Sequence, residues 1–395
     1  MSKLFMFEKP LGMRDTLPEL HDMKAKVRGA IAEEVTKWGY ERIATPTLEF
    51  YETVGQSSAI LDQQLFKLLD QEGNTLVLRP DMTAPIARIA ASTLKESQRP
   101  LRLTYDAPVF RAQQREGGRP AEFEQIGSEL IGDGTSSADA EIIALMTASM
   151  QEAGLEAYQV AIGHIGFVNA LLEEVLGNEE RTAVFRRYLY EKNYVGFRKA
   201  VEDLSLSSID KKRLTSLLSL KGDASVIQEA KKLVVSKDGI AALKQLEELV
   251  DILEQYGLMD QTILDLNLVM HMSYYTGVVF EAYSRGLGSP VGSGGRYDQL
   301  LGQFEHVEPA TGFGLRLDKL TEALGKSTTN VTKDLCLVYS ANRRIEALTA
   351  AQKARDEGRK VVMQDVSGIR DVDTFTGEYQ EVVYFIGSNG NGGAK

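Results

Sequence analysis

LRLTYDAPVFRAQQREGGRPAEFEQIGSELIG, residues 101–132, reads as two strands around a loop. The runs LRLTYDAPVF and EFEQIGSELIG are strand-like, and residues 111–119 between them are rich in glycine and arginine. An antiparallel sheet faced by helices follows from such a pair. Gln125 and Glu129 lie four apart on the second strand, so both point to the same face and can reach one ligand.

Toward the N-terminus, Met23, Val27, Ile31, Val35 and Trp38 recur at the spacing of one helical face, and Gly39 stops that helix. YERIATPTLEF is an extended stretch bent at Pro46, and LFKLL and TLVLRP form a hairpin across the turn-rich DQEGN. Residues 81–85 offer a helix start with Asp81 or Thr83 as cap and Pro85 in the first turn, continuing over 84–91. In the other direction, residues 171–258 are rich in Leu, Lys and Glu and nearly free of strand signals, which predicts a helical insertion. Strands resume at ILDLNLVM and VVFEAYS, a glycine cluster follows at VGSGGRYD, and a helix is expected to begin near Thr311. Past a polar linker at 326–333, strand and helix signals alternate. The expected division is a large α+β domain at 1–325 carrying the insertion, a small α/β domain at 331–387, and a flexible glycine-rich tail at 388–395.

With 395 residues, 43% hydrophobic and 26% charged, the chain has the composition of a globular protein of two or three domains. No apolar run approaches the roughly 20 residues that span a bilayer, and MSKLFMFEKP lacks the core of a signal peptide, so a cytoplasmic protein without membrane contact is expected. Cys336 has no second cysteine to pair with, and its place in LCLVY predicts a buried strand residue. His21, His164, His271 and His306 show no metal-ligand spacing, so no metal is expected. The net charge of −11 weighs against a partner as anionic as nucleic acid.

Five segments, the opening one among them, occur in one order. GYERIATPTLE (39–49), LRPDMTAP (78–85), FRAQQREGGRPAEFEQIGSELIG (110–132), GSGGRYDQL (292–300) and PATGFGLRLDKL (309–320), together with LVMHMSYYTGVVFE (268–281), resemble the class II histidyl-tRNA synthetases over about residues 8–325. The resemblance implies an antiparallel class II sheet flanked by helices, with the first segment building a homodimer interface. It also implies a histidine pocket. Asp81 and Thr83 would hold the ammonium, Arg111 the carboxylate, and Gln125, Glu129, Tyr274 and Tyr275 would supply polar contacts. Gly294, Gly295 and Tyr297 would shape the slot for the imidazole.

The departures from that family all fall on one half-reaction. Met270 stands at its catalytic arginine, Gln113 at a motif 2 glutamate, Ala121 at a loop arginine, and Lys319 at the arginine that clamps ATP phosphates, while Arg316 replaces a motif 3 glycine. Adenylation relies on preorganised positive charge, and one such contact is worth about 3–4 kcal/mol in the transition state. Residues 331–395, where the synthetases carry an anticodon-binding domain, hold nine Lys plus Arg against nine Asp plus Glu, so no tRNA partner is expected.

A retained pocket without ligation chemistry resembles the ATP phosphoribosyltransferase regulatory subunits. That resemblance implies a non-catalytic subunit without cofactors, which activates the short-form catalytic subunit in the first step of histidine biosynthesis. It further implies feedback inhibition by histidine, and a homodimer held in a hetero-oligomer, by family pattern a hetero-octamer. Two other readings stay open: a divergent active histidine-tRNA ligase, and a stand-alone histidine-binding or RNA-sensing paralogue.

Overall fold

The computed structural model describes residues 8–58, 60–112, 120–270, 274–325 and 333–387, so Gln113 and the rest of its loop through residue 119, His271, most of the linker and the tail at 388–395 lie outside the described residues. The chain divides into two compact units after Gly325.

In the first unit, helix α1 (Pro18–Lys37) buries the stripe Val27, Ile31 and Val35, with proline in its first turn. Gly39, at φ +79°, supplies the left-handed turn that releases the chain into β1 (Glu41–Arg42). Strands β2 (Leu48–Phe50), β3 (Lys67–Leu69) and β4 (Thr75–Leu78) form a separate three-stranded antiparallel sheet in the order β2-β4-β3. The β3/β4 turn is tied by Asp70 Oδ1, which accepts from the Glu72 and Asn74 amides at 2.9 and 2.8 Å.

Helix α2 (Thr83–Ala91) then leads into β5 (Leu101–Phe110) and β6 (Glu122–Ile131), which pair antiparallel along ten residues. After α3 (Ser136–Glu152) and β7 (Tyr158–His164) come the insertion helices α4 (Ile165–Leu176), α5 (Glu179–Tyr190), α6 (Tyr194–Asp203) and α7 (Ser208–Leu217). A two-residue strand β8 (Lys221–Gly222) interrupts them before α8 (Val226–Lys231) and α9 (Lys237–Gln255). The unit closes with β9 (Thr262–Asp265), β10 (Val278–Ser284), β11 (Gly292–Arg296), β12 (Ala310–Arg316) and α10 (Leu317–Leu324).

The main sheet has nine strands in the order β1-β5-β6-β12-β11-β10-β7-β9-β8. It is mixed: its centre is antiparallel, but β1 runs parallel to β5 and β7 parallel to β9. The helix expected near Thr311 begins instead at Leu317, because residues 310–316 form β12 in the middle of the sheet. Their small and large residues alternate with period two, putting Phe313 and Leu315 into the core on one side and Gly312 and Gly314 on the other. On the back, Ile126, Leu130, Phe280, Phe313 and Leu315 join the core made with α1, α3, α4 and α9. On the front, Leu103, Tyr105, Phe123 and Ile131 meet Met82, Ile86 and Ala90 of α2.

The second unit is a three-stranded parallel sheet, β13 (Lys333–Tyr339), β14 (Val361–Asp365) and β15 (Tyr379–Phe385), in the order β14-β13-β15. Helix α11 (Arg344–Asp356) follows β13 and covers Leu335 and Leu337 with Ala351 and Ala354. Cys336 is buried on the other face beside Val338 and Tyr379. The short helix α12 (Val372–Thr376), absent from the sequence reading, is capped by Asp371, whose Oδ1 accepts from the Asp373 and Thr374 amides.

Candidate functional site

The front face of the main sheet has a floor of glycines. Leu103, Glu129, Gly312, Gly295 and Val279 lie opposite one another across β5, β6, β12, β11 and β10, so all five share that face. One step along, Gly127, Gly314 and Ser293 repeat the pattern. The space that side chains would fill is taken by polar groups lying flat. A Cβ on Gly312 would overlap the Glu129 carboxylate, one on Gly314 the Gln125 amide, and one on Gly127 the Tyr105 hydroxyl. A Cβ on Gly295 would meet the Val278 carbonyl at 2.5 Å and the Tyr275 ring at 3.0 Å. The glycines therefore set how deep the polar side chains lie.

Glu129 is the centre of this arrangement and is 1% exposed. Thr83 Oγ1, at the start of α2, donates to its Oε1 at 2.9 Å, and the Tyr297 hydroxyl donates to its Oε2. Burial pushes the Glu129 carboxyl up to about 8, against the opposing pull of these two hydrogen bonds. Asp81 is also buried, and its Oδ1 accepts from the Ala84 amide at 3.0 Å, capping α2. Its Oδ2 has no hydrogen-bond partner among the described residues, and burial raises its affinity for a proton. Tyr274 stacks edgewise on Tyr275 and Tyr297, with ring centroids 4.9 and 5.7 Å away, and burial pushes all three phenols up.

Positive charge lies close to these carboxyls. Arg111 Nε donates to the Pro80 carbonyl at 2.8 Å, and the Arg111 and Arg316 guanidiniums lie 5.2 and 4.4 Å from the Phe123 ring centre. Burial weakens the hold of Arg111 on its proton, while Asp81 opposes that effect. Gln125 sits opposite Arg316 across the sheet, and its buried Oε1 has no partner among the described residues. Buried carboxyls with guanidiniums near them can meet the two charges of a zwitterion, and hydroxyls with a carboxyl between them suit an N–H-bearing ring.

The fold thus brings Asp81, Thr83, Arg111, Gln125, Glu129, Tyr274, Tyr275, Gly295 and Tyr297 to one region of the sheet. Gly294 is not among them: it faces the back, against the Phe280 ring, because neighbours in a strand point to opposite sides. Met270 lies in an apolar cluster with Ala161, Leu268 and Val279. Lys319 is on α10 in an ion pair with Glu322 at 2.7 Å, and Arg316 reaches Asp318 at 3.0 Å. Ala121 is buried, its amide bonded to the Gly12 carbonyl at 2.8 Å. Tyr105 and the floor glycines Gly127, Gly312 and Gly314 were not singled out from sequence, although the small-large alternation in ATGFGLR carries the signal.

Known proteins share this architecture. The model of the family described as histidyl-tRNA synthetase matches residues 12–320, and that of the C-terminal domain of histidyl-tRNA synthetase HisZ matches residues 336–387. The ATP phosphoribosyltransferase regulatory subunit of Geobacillus kaustophilus is 59% identical over 392 residues, 99% of each chain, and that of Bacillus subtilis 56% identical over 385 residues, 98% of each. A crystal structure described as an ATP phosphoribosyltransferase regulatory subunit/histidyl-tRNA synthetase from Bacillus halodurans superimposes with a TM-score of 0.92 at 57% identity, covering 98% of this chain and 100% of the other. The histidyl-tRNA synthetase of Nostoc superimposes with a TM-score of 0.78 at 19% identity, covering 94% and 88%, and so shares the fold. This chain belongs to the ATP phosphoribosyltransferase regulatory subunits, a family built on the class II histidyl-tRNA synthetase fold.

Proposed function

We propose that this chain binds histidine on the glycine floor and couples its occupancy to a short-form ATP phosphoribosyltransferase catalytic subunit, which needs this chain for activity. The observation that carries the reading is the Thr83–Glu129–Tyr297 cluster, in which Glu129 and Tyr297 are buried, together with the buried Asp81 and the Arg111 near it. The ammonium would meet Asp81 and Thr83, the carboxylate Arg111 and Gln125, and the imidazole Glu129 and the tyrosines. Aminoacylation is not part of the reading. Met270 offers a thioether packed on Leu268 where a cation would be needed, and Lys319 is engaged by Glu322.

In this proposal the chain forms a homodimer within a hetero-octamer and works in the cytoplasm without cofactor or tRNA. The three-stranded β2-β4-β3 sheet supports the dimer, since Phe50, Leu68 and Leu69 stand exposed on it. No described helix is long and apolar enough to cross a membrane, and the described residues hold no cluster of metal-ligating side chains.

The test is phosphoribosyl-ATP formation by the short catalytic subunit, with and without this chain, across a histidine titration. Activity should require the chain and fall with histidine, with a coupling of about 1–3 kcal/mol between the two sites. Glu129→Ala should remove the inhibition and keep the activation. Unchanged inhibition in that variant would move the sensor elsewhere, and no activation by a cognate partner would leave the stand-alone histidine-binding reading.

A further inference from the structure

A second cavity of about 310 Å³ opens on the same sheet face, where the insertion helices meet β7, β9 and β10. An apolar septum of Ala161, Leu268 and Val279, with Tyr275 packed on it, lies between this cavity and the glycine floor. The septum exists because Gly163 has no side chain: a Cβ there would meet the Asp265 carbonyl at 2.7 Å and Leu268 at 3.0 Å, so only glycine lets the segment after β9 cross over β7.

The polar groups of the cavity are unevenly satisfied. Asp265 is 8% exposed; its Oδ2 pairs with Lys221 at 2.8 Å, while its buried Oδ1 has no hydrogen-bond partner among the described residues. An isolated acceptor in that position is costly unless something supplies a donor. Beside it, the Tyr194 hydroxyl donates to Asn267 at 3.0 Å. At the mouth, Lys192 Nζ lies 3.2 Å from the Tyr283 hydroxyl, which itself donates to Glu281. Lys192 holds a left-handed backbone at φ +53°, a conformation a lysine rarely adopts, and it has no ion-pair partner among the described residues.

From this geometry we propose a second small-molecule site for an amino-acid-sized zwitterion, whose ammonium meets Asp265 and whose carboxylate or phosphate meets Lys192 and Lys221. The volume is at the lower end of small-molecule sites, and Leu189 and Ile263 supply apolar wall for a short carbon chain. Neither this ligand nor its recognition depends on histidine binding at Glu129.

The test uses two probes, 4-aminobutanoate and phosphoethanolamine, titrated calorimetrically into the full-length Glu129→Ala chain so that the glycine-floor site does not contribute. Butanoate and butylamine serve as controls that carry one charge each. One probe or both should bind at millimolar concentration with one site per chain, and which of them binds tells carboxylate from phosphate. Asp265→Asn and Lys192→Met should each weaken binding about tenfold or more. Lys192 is exposed, so its variant separates lost recognition from a folding defect. The proposal is overturned if neither probe binds, if the single-charge controls bind equally well, or if both variants keep the parental affinity. Because these readouts are made without Glu129, their failure leaves the histidine reading untouched.

Discussion

Gly295 and Arg296 are neighbours on β11 and face opposite sides of one sheet. Behind it, the Arg296 guanidinium is 2% exposed and fully engaged: Asp139 at 3.0 Å, Asp298 at 3.1 Å, and the carbonyls of Asp133 and Thr135 at 3.2 and 3.1 Å. In front, over Gly295 and Gly312, the buried carboxyl of Glu129 leans on two hydroxyls, and Asp81 keeps an oxygen without a partner among the described residues. The strands are the same and the burial is the same. Asp139 behind the sheet also keeps one oxygen without a partner among the described residues, but its charge is met by Arg296. In front neither Glu129 nor Asp81 has an ion-pair partner among the described residues, and a buried carboxyl short of a cation marks a place where a ligand completes the set.

The largest effect expected from this contrast is on stability. Arg296→Met strands Asp139 without its cation and should cost about 3–5 kcal/mol in denaturant unfolding. Glu129→Gln should leave stability unchanged or raise it, because a neutral amide replaces a carboxyl whose charging burial disfavours. If the two substitutions cost the same, the distinction between the faces fails.

Next in size is the floor. Gly312→Ala places a methyl where the Glu129 carboxylate lies, so histidine affinity should fall about 100-fold or more, the scale of losing charged hydrogen bonds. Gly294→Ala pushes instead into the Gly312 carbonyl and the Phe280 ring on the core side, and should lower the melting temperature more than it changes histidine affinity. Equal affinity losses in the two variants would mean that binding senses general loosening of the sheet and not the position of Glu129.

The third effect depends on pH. Glu129 holds its proton to about pH 8 in the folded chain, against 4.5 as its ordinary value. A carboxyl raised in this way contributes stability that is fully present below about pH 4.5 and is lost as pH rises through about 8. Glu129 should therefore contribute a loss of up to about 1.4 kcal/mol per pH unit between 5 and 8 in the unliganded protein, a contribution read as the difference in slope from Glu129→Gln. A slope that survives in Glu129→Gln would assign the proton to another carboxyl that burial raises, Asp81, Asp106 or Asp139.

Much of this was legible in the sequence wherever a single segment carries the signal. The strands β5 and β6 and the four-residue spacing of Gln125 and Glu129 follow from local alternation, and the buried stripe of α1 from helical spacing. The strand at 310–316 was hidden because its glycines have little strand propensity; only pairing with β6 and β11 makes it one. The opposite facing of Gly294 and Gly295 likewise needs the register. The second cavity was invisible because Lys192, Asp265 and Tyr283 are far apart in sequence and meet only through the insertion.

The smallest effect concerns a glycine that the floor argument does not cover. Gly29 lies mid-helix on an exposed position of α1, and a Cβ there would meet nothing within 4 Å. With no approach to protect, Gly29→Ala should raise stability by about 1 kcal/mol through helix propensity alone, read as a rise in unfolding midpoint. Floor glycines are kept for what lies over them, so alanine there must cost binding; Gly29 has nothing over it among the described residues, so alanine should help. A loss of stability at Gly29 would show that a second copy or the catalytic partner closes over this face of α1, and comparing the variant at low and high protein concentration would tell assembly from folding.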